Sequence, residues 1–299
     1  MVFTIDHQVN PLALWNAEAI YNLLFQKASG TLKAFGKKYL GGDVGFFAVL
    51  HTWGQDLGLH IHLHCIIVGG ALSGSTWKSC GSDFLFPIVE LSAFFRDSFC
   101  EGLEKLHDKG GLTFGGSCQD LQDPVEFERM VSSMRGKKWE VYVKEPFGGA
   151  QKVLEYMSRY VNRVAISNSR LVSIEEERVR FRYRDNRAGG VLKEMSLDAL
   201  ELISRYLQHV LPSGFVRIRY YGFLHPSQRD GKLKRIREIL GVTEKTAVDI
   251  HGVLFYGQED PGQCPVCKAG RMAPRLELKP VRPGREPSIE ELSALLDAA

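Results

Sequence analysis

His60-Ile61-His62-Leu63-His64 places three histidines at every second position of an apolar run. Side chains alternate between the faces of a β-strand, so the three imidazoles would share one face and Ile61 and Leu63 the other. Three histidines on one face carry a heavy desolvation cost unless they meet solvent or a ligand, and adjacent imidazoles on a rigid strand can converge on one divalent cation. Further along, Tyr156 and Tyr160 stand four apart in YMSRY. On a helix that spacing puts both phenols on one face, one turn apart, with Arg163 flanking them. A phenol is a weak nucleophile at neutral pH, but beside a cation-bound phosphate it can attack phosphorus, giving a phosphotyrosine and releasing a hydroxyl. Taken alone, two tyrosines on a helix are far more often core or surface aromatics.

Local patterns indicate the elements that would position these residues. Val2 to Ile5 reads as a short strand, and Asn10-Pro11 as an N-cap and first-turn proline opening a helix to about Phe35. GFFAVLHT (45–52) and HIHLHCIIV (60–68) read as an antiparallel pair joined through Trp53-Gly54-Gln55-Asp56 and Gly58. Helical spacing recurs over 87–107 and 124–134. Trp139 to Val143 alternates as a strand, PFGG (146–149) turns, and a helix over about 150–163 carries the tyrosines. From 170 to 195, three strand-like pieces separated by turns predict a β-meander. Ser196 then caps a helix to about His209, Phe215 to Tyr221 alternates as a strand, and Ser227 to Leu240 is a basic helix.

The chain can bury a substantial core, with 44% apolar and 24% charged residues over 299 positions. Its apolar runs are far too short to span a bilayer, the start lacks a signal-peptide pattern, and six irregularly placed cysteines do not read as a disulfide framework. The expectation is a cytoplasmic protein without a membrane partner. A net charge of +3 conceals an asymmetry: residues 129–240 hold 23 Lys+Arg against 12 Asp+Glu, leaving 15 against 23 elsewhere. Within that stretch Arg178, Arg180, Arg182 and Arg184 alternate with apolar residues, Arg217 and Arg219 repeat the pattern, and Lys232, Lys234, Arg235 and Arg237 load a helix. Rows of guanidinium groups suit phosphate contacts, and nearby aromatics can stack on unpaired bases. Cys264-Pro265-Val266-Cys267 resembles half of a zinc knuckle, whose two thiolates would supply half of a tetrahedral Zn²⁺ site.

An HxH strand upstream of a YxxxY helix is the layout of the HUH (His-hydrophobic-His) endonucleases. HTWGQ (51–55), HIHLHCIIVGGALS (60–73), PFGG (146–149), YMSRYVNRVAISNSRL (156–171), VRFRYRD (179–185), FVRIRYYGFL (215–224) and CPVCKAGRM (264–272) resemble, in order, the landmarks of the rolling-circle insertion-sequence transposases, insertion sequence family ninety-one. The resemblance covers roughly residues 1 to 272. It implies that His62 and His64 are the HUH pair holding Mg²⁺ or Mn²⁺, with His60 and Gln55 as candidate third ligands, and that Tyr156 and Tyr160 are the nucleophiles. Arg159 and Arg163 join the meander arginines as candidate DNA contacts. The sequence departs from the family at Asn162, where histidine is frequent. It also departs at its start, where relatives carry an additional cysteine-rich zinc-binding domain, which suggests an N-terminally truncated copy.

The fold implied is α+β: an HUH-type antiparallel sheet carrying HxH on a central strand and packed with helices, followed by a β-meander and a basic helix. The expected divisions are 1–168 for the catalytic core, 169–250 for a DNA-binding extension and 251–299 for the CxxC half-knuckle and a loose tail. The implied activity is cleavage and rejoining of single-stranded DNA, at element ends and target, through a 5′-phosphotyrosine. Two rivals stand beside it: a plasmid replication initiator or relaxase of the same superfamily, and a truncated non-catalytic DNA-binding remnant. The PFGG and RVAISN landmarks favour the transposase branch.

Overall fold

The alternating run around HxH becomes the long strand β3 (Leu59–Ser73), and GFFAVLHT lies within its antiparallel neighbour β2 (Asp43–Trp53). The computed structural model describes residues 1–81, 85–147, 152–153, 156, 165–185 and 188–242. All of these belong to the unit Met1–Asp249; the other unit, Ile250–Ala299, lies outside them. With β1 (Val2–Thr4), β4 (Thr76–Ser79), β5 (Val141–Tyr142) and β9 (Ile218–Tyr221), these strands build a six-stranded antiparallel sheet in the order β5-β1-β3-β2-β9, β4 pairing with β3. The histidine strand is therefore central. β5 is shorter than the alternation predicts, and the Val141 amide donates to Ser92 Oγ at 3.2 Å.

One face of this sheet is closed by helices α1 (Asn10–Trp15), α2 (Ala17–Leu40), α3 (Ile88–Asp108) and α4 (Pro124–Gly136). Phe3, Phe46, Ala48, Leu50, Ile61 and Leu63 point into that core beside Leu24, Leu32, Phe95 and Phe99. Removing this apolar surface from water is the main stabilising contribution. The single helix predicted over 11–35 is broken in two at Asn16. The Asn16 side chain donates to the carbonyls of Leu12 (2.9 Å) and Thr113 (2.7 Å) and accepts from the Thr113 amide (2.7 Å), a set of bonds a continuous helix would forfeit. Asn10 is the first helical residue rather than the cap, which falls on Val9.

The predicted meander forms a separate three-stranded sheet of β6 (Leu171–Glu175), β7 (Arg178–Asp185) and β8 (Val191–Asp198). Its apolar side, with Val179, Phe181 and Leu197 buried, covers Leu57 from the β2–β3 turn. Helix α5 (Ala199–Leu207) is capped by Asp198, whose carboxylate accepts from the Leu200 amide at 2.9 Å. Ser196, the cap expected from sequence, instead stays in β8, because that strand holds register with β7 as far as Arg178 opposite Asp198. Helix α6 (Arg229–Leu240) is the basic helix. Among the described residues, no helix is long and apolar enough to cross a membrane.

Candidate active site

Alternation along β3 turns Ile61, Leu63 and Cys65 toward the helices and leaves His62 and His64 on the opposite face. Both are nonetheless buried. The antiparallel register sets His51 of β2 directly opposite His62, and residues so paired project to the same side. His51, also buried, completes a group with His62 and His64 in which one nitrogen from each ring lies within 4.8 Å of the others. Such a group could hold a metal ion. His62 Nε2 and His64 Nε2 are 3.1 Å apart. Two imidazole nitrogens bound at right angles to a cation at about 2.1 Å would be separated by about 3 Å, so this spacing fits a shared ligand.

Hydrogen bonds settle the tautomers. His62 Nδ1 lies 2.6 Å from the carbonyl oxygen of His60, which can only accept, so the His62 proton sits on Nδ1 and its Nε2 lone pair faces His64. His64 Nδ1 lies 2.8 Å from Tyr156 Oη. Since His62 Nε2 can then only accept, His64 Nε2–H donates to His62 and the phenol donates to His64 Nδ1. Burial, followed by the neighbouring imidazoles, depresses both histidines: His62 falls well below the ordinary value and His64 to about 3. Both are neutral at physiological pH, as metal ligation requires.

The other sequence candidates take different places. His60 is half-buried and stacks on His7, with ring centroids 5.4 Å apart, on the far side of His62 from His64. It contributes its carbonyl to His62 rather than a ring nitrogen to the group of three. Gln55 is exposed in the β2–β3 turn, where its carbonyl accepts from the Arg170 guanidinium. Tyr156, with Lys152 and Val153, has helical backbone; Tyr160, Arg159, Arg163, Cys264 and Cys267 lie outside the described residues.

Sequence reasoning misses His51, although it stands first in the HTWGQ landmark. Its pairing with His62 continues the register that begins with Phe46 opposite Ile67, and a bulge between His51 and Trp53 ends that register beside the turn, which alternation does not reveal. The turn itself is held by residues far away in sequence. Arg205 donates to the Asp56 carbonyl at 3.1 Å, His209 Nε2 to the Leu57 carbonyl at 2.9 Å, and Thr52 Oγ1 lies 3.2 Å from His209 Nδ1. Trp53 in turn stacks on His51, with centroids 4.7 Å apart.

The basic residues divide into two groups. On β7, Arg178, Arg180, Arg182 and Arg184 are exposed on the outer side of the meander, but Glu175, Glu194 and Asp198 lie opposite them on the flanking strands. Arg182 pairs with Glu194 at 3.5 Å. Arg219 pairs with Ala48 and so faces the helices. Its guanidinium lies over Phe25 (4.1 Å) and Phe215 (5.1 Å) and donates to Asn22 Oδ1 at 2.6 Å. Arg217 is half-buried, which lowers its pKa, and its carbonyl accepts from the Leu50 amide at 3.0 Å.

An antiparallel sheet with a buried histidine pair on its central strand, approached by a tyrosine hydroxyl, is the α+β arrangement that the sequence resemblance implies. Residues 45–231 match the family model described as "Putative transposase". The chain belongs to that family, the transposases of insertion sequence family ninety-one. It is 42% identical over 283 residues to "Putative transposase y4qJ" of Sinorhizobium fredii (strain NBRC 101917 / NGR234), covering 91% of this chain and 71% of the relative. It is 26% identical over 276 residues to "Transposase for insertion sequence element IS801" of Pseudomonas savastanoi pv. phaseolicola, covering 90% and 65%. Among solved structures, the conjugative relaxase TrwC in complex with mutant OriT DNA aligns over 81% of this chain and 73% of that one, at 13% identity and a TM-score of 0.29.

Proposed function

We propose that this chain is a metal-dependent tyrosine transesterase that cuts and rejoins single-stranded DNA, the chemistry of rolling-circle transposition. The observation carrying the reading is the contact of Tyr156 Oη with His64 Nδ1, on the ring whose Nε2 faces His62. His51, His62 and His64 would hold the cation. Three neutral imidazoles suit Mn²⁺ or a borderline metal better than Mg²⁺, which prefers oxygen ligands. Bound there, the cation would withdraw charge from the scissile phosphate.

The remaining work falls to the chain's own side chains. With His62 and His64 holding a cation, His64 would carry its proton on Nδ1 and face Tyr156 as a donor, which would stabilise the phenolate form of the nucleophile. Tyr156 attack on phosphorus forms the Tyr–O–P bond and breaks the P–O3′ bond; the phenol gives its proton to water and the departing O3′ takes one from water, leaving a 5′-phosphotyrosine and a free 3′-hydroxyl. Rejoining is the reverse attack by a 3′-hydroxyl and needs no nucleotide cofactor. Tyr160, one helical turn along by spacing, is the candidate for a second strand transfer.

The test uses single strands spanning the genomic boundaries of the element, incubated with Mn²⁺ and resolved under denaturing conditions. The wild type is expected to form a covalent adduct with the fragment 3′ of the break, through that fragment's 5′-phosphate. Tyr156→Phe and His64→Ala should lose it by at least about a hundredfold while melting as folded proteins. Undiminished adduct in both variants would remove this site from the reaction.

A further inference from the structure

Beside the tyrosine lies a cavity of about 470 Å³ that the cleavage reaction itself does not require. Its floor is the histidine face of the large sheet: Val2 of β1 pairs with His64 and with Tyr142 of β5, and Phe47 of β2 pairs with Ile66, two residues beyond His64 on β3. Its wall is Phe147 together with the ring of Tyr156, centroids 5.1 Å apart and inclined by 56°. The Lys144 ammonium stands over both rings, at 6.0 Å from Phe147 and 5.8 Å from Tyr156.

We propose that this cavity receives an unpaired nucleobase from a nucleotide adjoining the scissile phosphate, and so helps to choose where the strand is cut. The proposal rests on the single-strand cleavage reading. Tyr156 is shared: its ring lines the cavity while its hydroxyl meets His64, so a phosphate at that oxygen has its neighbouring base within one nucleotide of the opening. The lining is largely flat or apolar where a base would lie; Lys144 supplies a charge that a flanking phosphate would seek, and Glu145 beside it would keep that phosphate on the lysine side of the opening. A base paired within a duplex cannot enter, because its edge and both of its faces are already occupied. Aromatic walls hold any base by its π-face, so the seat would favour bases by size and stacking strength more than by hydrogen bonding.

The probe is a thymidine trinucleotide with 2-aminopurine at its centre, whose fluorescence falls when the base stacks on an aromatic ring. Titration with the wild-type chain is expected to quench it. Phe147→Ala should weaken binding about tenfold, as removal of one base–aromatic stack does. Ile66→Trp, which fills the floor, should abolish the quench in a protein whose melting is cooperative. Absence of quenching with the wild type, or equal quenching by both variants, would overturn the proposal. Adduct formation on element-end strands is measured in parallel. Cleavage without quenching discards the base seat and keeps the transesterase; quenching without any adduct keeps the seat and discards the transesterase.

Discussion

His51 of β2 stands directly across the sheet from His62 of β3, and this cross-strand pair, rather than the local HxH spacing, supplies the third imidazole of the buried group. If all three rings share a cation, His51→Ala should weaken Mn²⁺ binding by about tenfold or more, the scale on which even supporting residues of metal sites act. His60→Ala should change it much less, since the group of His60 that bonds His62 Nδ1 is its backbone carbonyl, which alanine keeps. Isothermal titration of each variant with Mn²⁺ decides the matter; a larger loss at His60 would reverse the assignment.

The same burial makes stability depend on pH. His62 and His64 have folded-state pKa values depressed below that of an unfolded histidine, His64 to about 3. Between roughly pH 6.5 and 3 the unfolded chain therefore binds protons that the folded chain refuses, and stability falls with pH by up to about 1.4 kcal/mol per unit for each group. Above about pH 6.5 both states are neutral and the dependence vanishes. Melting of the chelator-treated protein should fall from about pH 7 to about pH 5, and His64→Asn should flatten that descent. An identical slope in the variant would contradict this account.

Leu57 adopts a positive φ of 64° in the β2–β3 turn, yet its side chain is fully buried against Phe181 and Leu197. Its packing must outweigh the strain of a left-handed non-glycine residue. Leu57→Ala keeps the strain and removes the packing, and is expected to cost about 2–5 kcal/mol by denaturant unfolding. A change under about 1 kcal/mol would mean that the meander does not brace the histidine hairpin through this side chain.

The arginines of β7 and β9 should separate by experiment. Neutralising Arg178, Arg180, Arg182 and Arg184 together with glutamine is expected to flatten the salt dependence of single-strand binding, by at most about 0.7 in log–log slope for each phosphate they neutralise. The acidic residues opposite them should hold the change below the full value for all four arginines. Arg219→Gln is expected to lower stability by about 1–3 kcal/mol and leave the salt slope unchanged, because its guanidinium is engaged with Phe25, Phe215 and Asn22. A reduced slope at full stability would return Arg219 to the DNA surface.

Whatever depends on neighbours along the chain was legible in the residues alone. Period-two alternation set His62 and His64 on one face of a strand and drew the meander, and helical spacing marked α3, α4 and α6. The order of strands, the partner of His51 and the meeting of His64 with Tyr156, 92 residues apart, arise only when the chain packs. Alternation says which residues share a face but not which face of which neighbour they meet, and a bulge beside His51 resets the register without changing any local pattern. Arg219 shows the same limit from the other side. An alternating row of arginines looks alike whether its face meets solvent or the aromatic rings of a helix, and only the packing of β9 beside β2 turned this one inward.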